Sequence, residues 1–232
     1  MFTPIFANIA VDLFLKGGPV MYPILLAALV AIAVIGERVF WWVRLARRRD
    51  AARLERVFAA MERADFADAS ALARDSGDPV VRMIYHGLNH HHSSLQGALQ
   101  VAAGLELQQA GRFLPALDTL VTLAPLLGLL GTVTGIMASF TSIGAEELAV
   151  TKVTGGIGEA LIATASGLGI AIITLIPFNY FNARVARLQF EFEAAATNVE
   201  VMINNARQQG LSTEPNGEQS PEPETARAAA SL

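Results

Sequence analysis

Gly156-Ile157-Gly158-Glu159-Ala160-Leu161-Ile162-Ala163-Thr164-Ala165-Ser166-Gly167-Leu168 opens an apolar run that continues to Phe181. The run is long enough to cross a bilayer, whose hydrocarbon core takes about 20 apolar residues in a helix. A carboxylate inside such a run is costly and marks a functional position. Burial disfavours the charged form of a carboxyl group, which is the property a proton relay requires. A competing reading makes Glu159 an interfacial carboxylate near a helix start, stabilised by the helix dipole. A helix beginning earlier, near Ala145, would instead put Glu159 several turns down.

Two further apolar runs cover residues 20–42 and 115–140. They account for a composition of 53% hydrophobic and 16% charged residues in a chain of 232, an apolar bias above that of soluble domains. Lipid admits only helices or closed barrels, and these runs are too long for strands. The predicted fold class is therefore an all-α integral membrane protein with three transmembrane helices and a helical cytoplasmic region. The second and third helices extend into the cytoplasm. A net charge of −4 argues against a nucleic-acid partner. The absence of cysteine excludes disulfides, thiol catalysis and Cys-ligated zinc. The first residues lack a basic region and a small-residue cleavage site, so the first run reads as a retained anchor.

Residues 1–19 read as a periplasmic amphipathic segment on the membrane surface, with Ile5, Ile9 and Leu13 in phase. Gly17-Gly18-Pro19 ends it. The first span, 20–42, closes with Glu37, Arg38, Trp41 and Trp42, where the rings suit an interfacial belt and the arginine snorkels outward. Arg44, Arg47, Arg48 and Arg49 form the strongest basic cluster and place that end in the cytoplasm, with the N-terminus periplasmic. They also suit anionic membrane lipid. Residues 43–114 read as cytoplasmic helices capped by Asp50, Asp65, Asp78 before Pro79, and Ser94. Residues 141–156, with Glu146, Glu147 and Lys152, read as a periplasmic loop and the start of the third helix. Its span, 157–181, is followed by Arg184 and Arg187, which return the chain to the cytoplasm. Apolar positions at Val185, Leu188, Phe192, Val199 and Ile203 carry the helix on through 182–209. Residues 210–232 have the composition of a disordered tail.

The second and third spans are laced with small and polar residues. Gly128, Gly131, Thr132, Gly135, Ala138, Ser139 and Ser142 share one side of a helix that turns about 100° per residue. Gly155, Gly158, Glu159, Ala163, Ser166, Gly167, Ile170 and Thr174 lie roughly on one side of the third. Small residues spaced four apart let helix backbones approach closely. Such a face packs helices more often than it lines a pore, and its hydroxyls can bond to the preceding turn. Thr164 lies about 140° around the helix from Glu159. An ideal helix cannot aim both into one narrow lumen, so one of the two faces a neighbouring helix.

Ala124-Pro125-Leu126-Leu127-Gly128-Leu129-Leu130-Gly131-Thr132-Val133-Thr134-Gly135-Ile136-Met137, followed by Phe140, resembles the second-helix signature of the MotA/TolQ/ExbB proton-channel family. The stretch from Gly158 to Leu168 resembles its third-helix signature, and the chain is most similar to the ExbB branch. The resemblance covers about residues 20–187. It implies a homopentamer around a pore lined by the second and third helices. The pore would hold the single spans of an ExbD-like subunit, each with an aspartate, and a TonB-like transducer would receive the work. It implies the bacterial inner membrane as location, no enzymatic activity and no cofactor. Carried over by position, Thr132, Glu159 and Thr164 are the proton-pathway or pore-lining residues. Pro125, Gly128, Gly131, Gly135 and Gly167 are packing positions. Thr134 departs from members with tryptophan there, and the additional span of MotA-type stators is missing. A TolQ-like subunit for envelope integrity and a passive membrane scaffold are the alternatives. A solute carrier is disfavoured by the lack of internal repeats and broken helices.

His86 with His90, His91 and His92 has no carboxylate or cysteine at metal-binding spacing and reads as a solvated turn. Gly155-Gly156-x-Gly158 follows no strand and is not a nucleotide loop.

Overall fold

The computed structural model of the chain describes residues 12–89, 94–141 and 149–210, with side chains from residue 153 onward in the last stretch. Residues 12–16 are helical. After them come α1 (Met21–Arg48), α2 (Ala51–Glu62), α3 (Phe66–Ala73), α4 (Pro79–Asn89), α5 (Leu95–Ala110), α6 (Leu114–Thr141) and α7 (Ala149–Gln208). No strand occurs among the described residues. Three of the helices, α1, α6 and α7, are long and apolar enough to cross a membrane. His90 to His92, Glu146, Glu147 and most of the N-terminal segment and C-terminal tail lie outside the described residues, as does the side chain of Lys152.

The chain divides into two units. The first comprises Met1–Val43 and Gly111–Val185. Its interior is built from small clusters along the three long helices. Met21, Ile24 and Ala163 pack with Phe14, Val20, Leu127 and Ile170. Ala27, Ala31 and Leu120 form a second cluster. Leu114, Leu117 and Phe181 form a third with Val34, Ile35, Trp42 and Phe178. The outward faces carry Leu26, Ile32, Phe40, Leu126, Met137, Phe140, Leu161, Ile172 and Ile176, all exposed. Large apolar groups on the outside of every spanning helix are what lipid as solvent demands.

Arg38 departs from the sequence expectation. It does not snorkel; at 1% exposure it is among the most buried side chains of the chain. Its guanidinium donates to Glu37 Oε1 at 2.7 Å. It also lies over the rings of Trp41 at 5.2 Å and Phe113 at 5.7 Å. A carboxylate and two π-faces replace the water that snorkelling would have found. Phe113 holds a left-handed backbone, φ 66°, at the turn into α6. A residue with a β-carbon adopts that conformation at a cost of about 1–2 kcal/mol.

The second unit comprises Arg44–Ala110 and Ala186–Leu232. Each predicted cap is in place. Asp50 accepts from the Arg53 amide at 2.9 Å, Asp65 from Asp68 at 2.9 Å, Asp78 from Val80 at 2.9 Å, and Ser94 from Gly97 at 3.2 Å. Asp78 does more than cap α4. Its other oxygen accepts from the Asp50 amide at 3.1 Å, at the head of α2, and it is 2% exposed. One buried carboxylate thus ties two helix starts together. Arg53 donates to the carbonyls of Leu72 at 2.6 Å and Arg74 at 2.8 Å, closing the end of α3. Arg82 and Glu106 join α4 to α5 through two bonds of 2.9 and 2.6 Å. The α7 portion buries Leu188, Phe192, Ala195, Val199, Ile203 and Ala206, a stripe with the three-and-four spacing of a helix face.

Asp78→Ala leaves the buried Val80 amide and the half-buried Asp50 amide without their acceptor and is expected to destabilise this unit by about 2–3 kcal/mol. The exposed cap change Asp65→Ala is expected to cost about 1 kcal/mol. Chemical unfolding of the detergent-solubilised chain, with amide hydrogen exchange at the starts of α2 and α4, checks both.

Candidate functional site

The site begins with the reason α6 and α7 meet. Buried positions on α6 are Ala124, Gly128, Gly131, Gly135 and Ser139. Opposite them on α7 lie Gly156, Ala160, Ala163, Thr164 and Gly167. A β-carbon at Gly128 would lie 3.0 Å from the Thr164 Cα. One at Gly131 would lie 2.5 Å from the Ala163 Cβ, and one at Gly135 3.0 Å from both the Ala160 Cβ and the Gly156 oxygen. At Gly167 it would overlap the Ala124 carbonyl oxygen and lie 3.1 Å from the Gly128 Cα. At Gly156 it would overlap the Ser139 hydroxyl. The two helices therefore run antiparallel with backbone against backbone. The small-residue stripe of the sequence is, within this chain, a packing seam.

The hydroxyls sort themselves along this seam. Thr164 Oγ1 donates across it to the Gly128 carbonyl at 2.9 Å. Thr132 is half-buried and donates to its own helix, to the Leu129 carbonyl at 2.6 Å. Thr134 and Ser139 likewise bond to the preceding turn. Pro125 sits inside α6 beside Ala124. Its missing N–H leaves the carbonyl one turn back without its helical partner.

Glu159 points elsewhere. It is half-buried and lies about three turns from the start of α7 at Ala149, so it is not at a helix start. Its side chain rests on the turn before α1. A β-carbon at Gly18 would overlap Glu159 Oε1 and lie 2.5 Å from its Cδ. One turn further along α7, Ile162 Cγ2 lies 3.1 Å from where a Gly17 β-carbon would be. Beyond it, Ser166, Ile170 and Ile173 face Met21, Ile24 and Ala28 of α1 across an apolar cavity of about 530 Å³.

The structure thus brings Thr164 to Gly128 and Glu159 to Gly18, while Thr132 bonds within its own helix. Sequence reading gave Gly17-Gly18 only the role of a helix breaker. Two glycines before an apolar run, one needing a left-handed backbone, were the available signal. Arg44, Arg47 and Arg48 are exposed at the end of α1, and Arg49 pairs with Glu191 at 2.5 Å. His86 stacks edge-on with Tyr85. Among the described residues no cluster of three histidine or carboxylate side chains is placed to hold a metal ion. The arrangement sets the Glu159 carboxyl group, on a spanning helix, against the turn that precedes α1.

Comparison with known proteins supplies the family. The profile of the MotA/TolQ/ExbB proton channel family matches residues 76–194. The ExbB-like 1 biopolymer transport protein of Synechocystis sp. is 34% identical over 199 residues, covering 82% of this chain and 78% of that protein. The biopolymer transport protein ExbB of Neisseria gonorrhoeae is 37% identical over 93 residues, 40% of this chain and 42% of that one. The Tol-Pal system protein TolQ of Pseudomonas aeruginosa is 37% identical over 108 residues, 46% of this chain and 47% of that one.

Gly128→Ala and Gly167→Ala should force the seam apart and lower the unfolding temperature in detergent. Gly158→Ala and Gly169→Ala, whose added carbons would meet nothing within 4 Å, should not. Thr164→Val should cost about 0.6–1.7 kcal/mol, the range for hydrogen bonds between membrane helices, with Thr164→Ser close to native.

Proposed function

Because the chain belongs to the MotA/TolQ/ExbB proton channel family, we propose that it is the proton-channel subunit of an ExbB–ExbD-type motor. It uses the proton motive force to energise a TonB-like transducer for outer-membrane transport. The observation that carries this reading is Glu159. A carboxylate stands on the third spanning helix, about three turns from its start, within the stretch that resembles the family's third-helix motif. An ionisable group on a spanning helix is costly and marks a functional site, and in a proton channel family proton traffic is the function it suits.

In this reading copies of the chain, five by family resemblance, surround a pore that receives the single spans of an ExbD-like subunit. Protons pass between an aspartate of that subunit and Glu159, and the exchange drives relative rotation. Thr164 supports the wall by its bond to Gly128, and Thr132 lies one turn along the same helix. The protein sits in the bacterial inner membrane with the N-terminus periplasmic, because Arg44, Arg47, Arg48 and Arg49 at one span end and Arg184 and Arg187 at another favour the cytoplasm. The TolQ match supports a second reading within the family, a subunit serving envelope integrity.

Glu159→Gln and Glu159→Ala are expected to abolish proton-coupled work with protein level and assembly near native. Energy-dependent outer-membrane uptake and detergent resistance, scored separately in cells lacking the native chain, measure this. They also divide the two readings by which trait is lost. Full activity in both variants would leave only the passive scaffold.

A further inference from the structure

The Glu159 side chain rests on the turn before α1. From Cγ to Oε1 it lies along the backbone of Gly18, whose added β-carbon would stand 2.9 Å from Cγ, 2.5 Å from Cδ and inside Oε1. Gly18 also has φ 72°, in the left-handed region that favours glycine. The backbone there reverses between residues 12–16 and α1, with the Gly17 amide donating to Phe14 and the Met21 amide to the Gly18 carbonyl. Gly17 is buried; an added β-carbon there would meet the Met21 side chain at 2.5 and 2.7 Å and then Ile162 Cγ2, on the same face of α7 as Glu159, at 3.1 Å. Of the two glycines, Gly18 is the one whose three nearest contacts all belong to Glu159. The glycines flanking Glu159 on its own helix, Gly155 and Gly158, would meet nothing within 4 Å.

We propose that Gly18 is a positioning residue for Glu159. The Gly17–Gly18 turn is a seat that fixes the carboxyl group and closes it off on that side, so that protons reach it from the opposite one. The inference rests on Glu159 as the proton carrier. Among the described residues no charged group pairs with Glu159. Asp12 and Lys16, on the adjoining segment, are exposed and bond to each other at 2.7 Å. Tyr22 is the first ionisable residue of α1 and is exposed, and Asp118 is the single ionisable residue of α6.

The test uses the full chain with its partner subunit in native membranes. The readout is the rate at which a hydrophobic carbodiimide modifies Glu159, followed by mass spectrometry across a pH series. Gly18→Ala should change that rate by about tenfold and displace its pH profile, because a shift of about 1 Å in a reacting group is strongly felt. Gly18→Asn separates the two roles of the glycine, since asparagine tolerates the left-handed backbone but still carries a β-carbon. It should change the rate as alanine does. Gly36→Ala, on α1 with nothing within 4 Å, should label as the native chain does. Adding Glu159→Asp to Gly18→Ala shortens the carboxylate away from the new methyl and should bring the labelling rate back to that of Glu159→Asp alone. Native labelling at every pH in Gly18→Asn overturns the seat, whatever Gly18→Ala does. Labelling does not depend on motor activity. A fully active Glu159→Gln would therefore refute the proton-carrier reading while the labelling series still judged the seat.

Discussion

Helices in lipid gain nothing from hiding apolar surface against one another, because the surrounding chains are as apolar as they are. What holds them is close contact and hydrogen bonds. The contact between α6 and α7 is built on that constraint. Gly128, Gly131 and Gly135 meet Thr164, Ala163 and Ala160 with no room for another carbon, and the Thr164 hydroxyl reaches the Gly128 carbonyl at 2.9 Å. Each small residue there forgoes side-chain burial so that whole backbones touch. The rest of the membrane unit is arranged around that seam. Once one face of α7 is taken by α6, a second is left for α1, and the third, with Leu161, Ile172 and Ile176, is exposed.

The second unit follows aqueous rules. Its helices are short, and carboxylates and hydroxyls satisfy their ends. Asp78, at 2% exposure, serves two helix starts at once. Arg82 with Glu106 and Arg49 with Glu191 add ion pairs that lipid would not tolerate on its own side. The α7 helix passes through both units, presenting small residues to α6 in the first and an apolar stripe from Leu188 to Ala206 in the second.

Fold class was legible because its signals are local. A run of about 20 apolar residues means a span, and an aspartate before Pro79 means a helix start. The family was legible because the glycines and Glu159 stand at fixed spacings within two helices. Long-range geometry was not. Periodicity placed Thr164 and Glu159 on different sides of one helix, but nothing in it says which neighbour each side meets. The Gly128 carbonyl and the Gly18 backbone answer that, and both are remote in sequence. Arg38 misled for a related reason. Snorkelling is the default for an arginine near a membrane surface, and the default fails where Glu37, Trp41 and Phe113 gather around it. Phe113 comes from the start of α6, so no reading of α1 alone could have supplied it.

The position of Glu159 can be argued by exclusion from the same geometry. The seam face of α7 has no room for a side chain longer than threonine, as Gly128 and Gly131 demonstrate. The exposed face is occupied by the large apolar side chains of Leu161, Ile172 and Ile176. The remaining face is the one turned to the start of α1, and there Gly17 and Gly18 supply space by lacking side chains. A proton on the carboxyl group removes the charge that makes any of these faces expensive. Under the proposed function, protonation of Glu159 and the fit of the turn against α7 therefore share one free-energy cycle, and a change in either must be felt by the other. Small residues thus serve the protein in two distinct ways: along α6 they let backbones touch, and before α1 they leave a place for the Glu159 side chain.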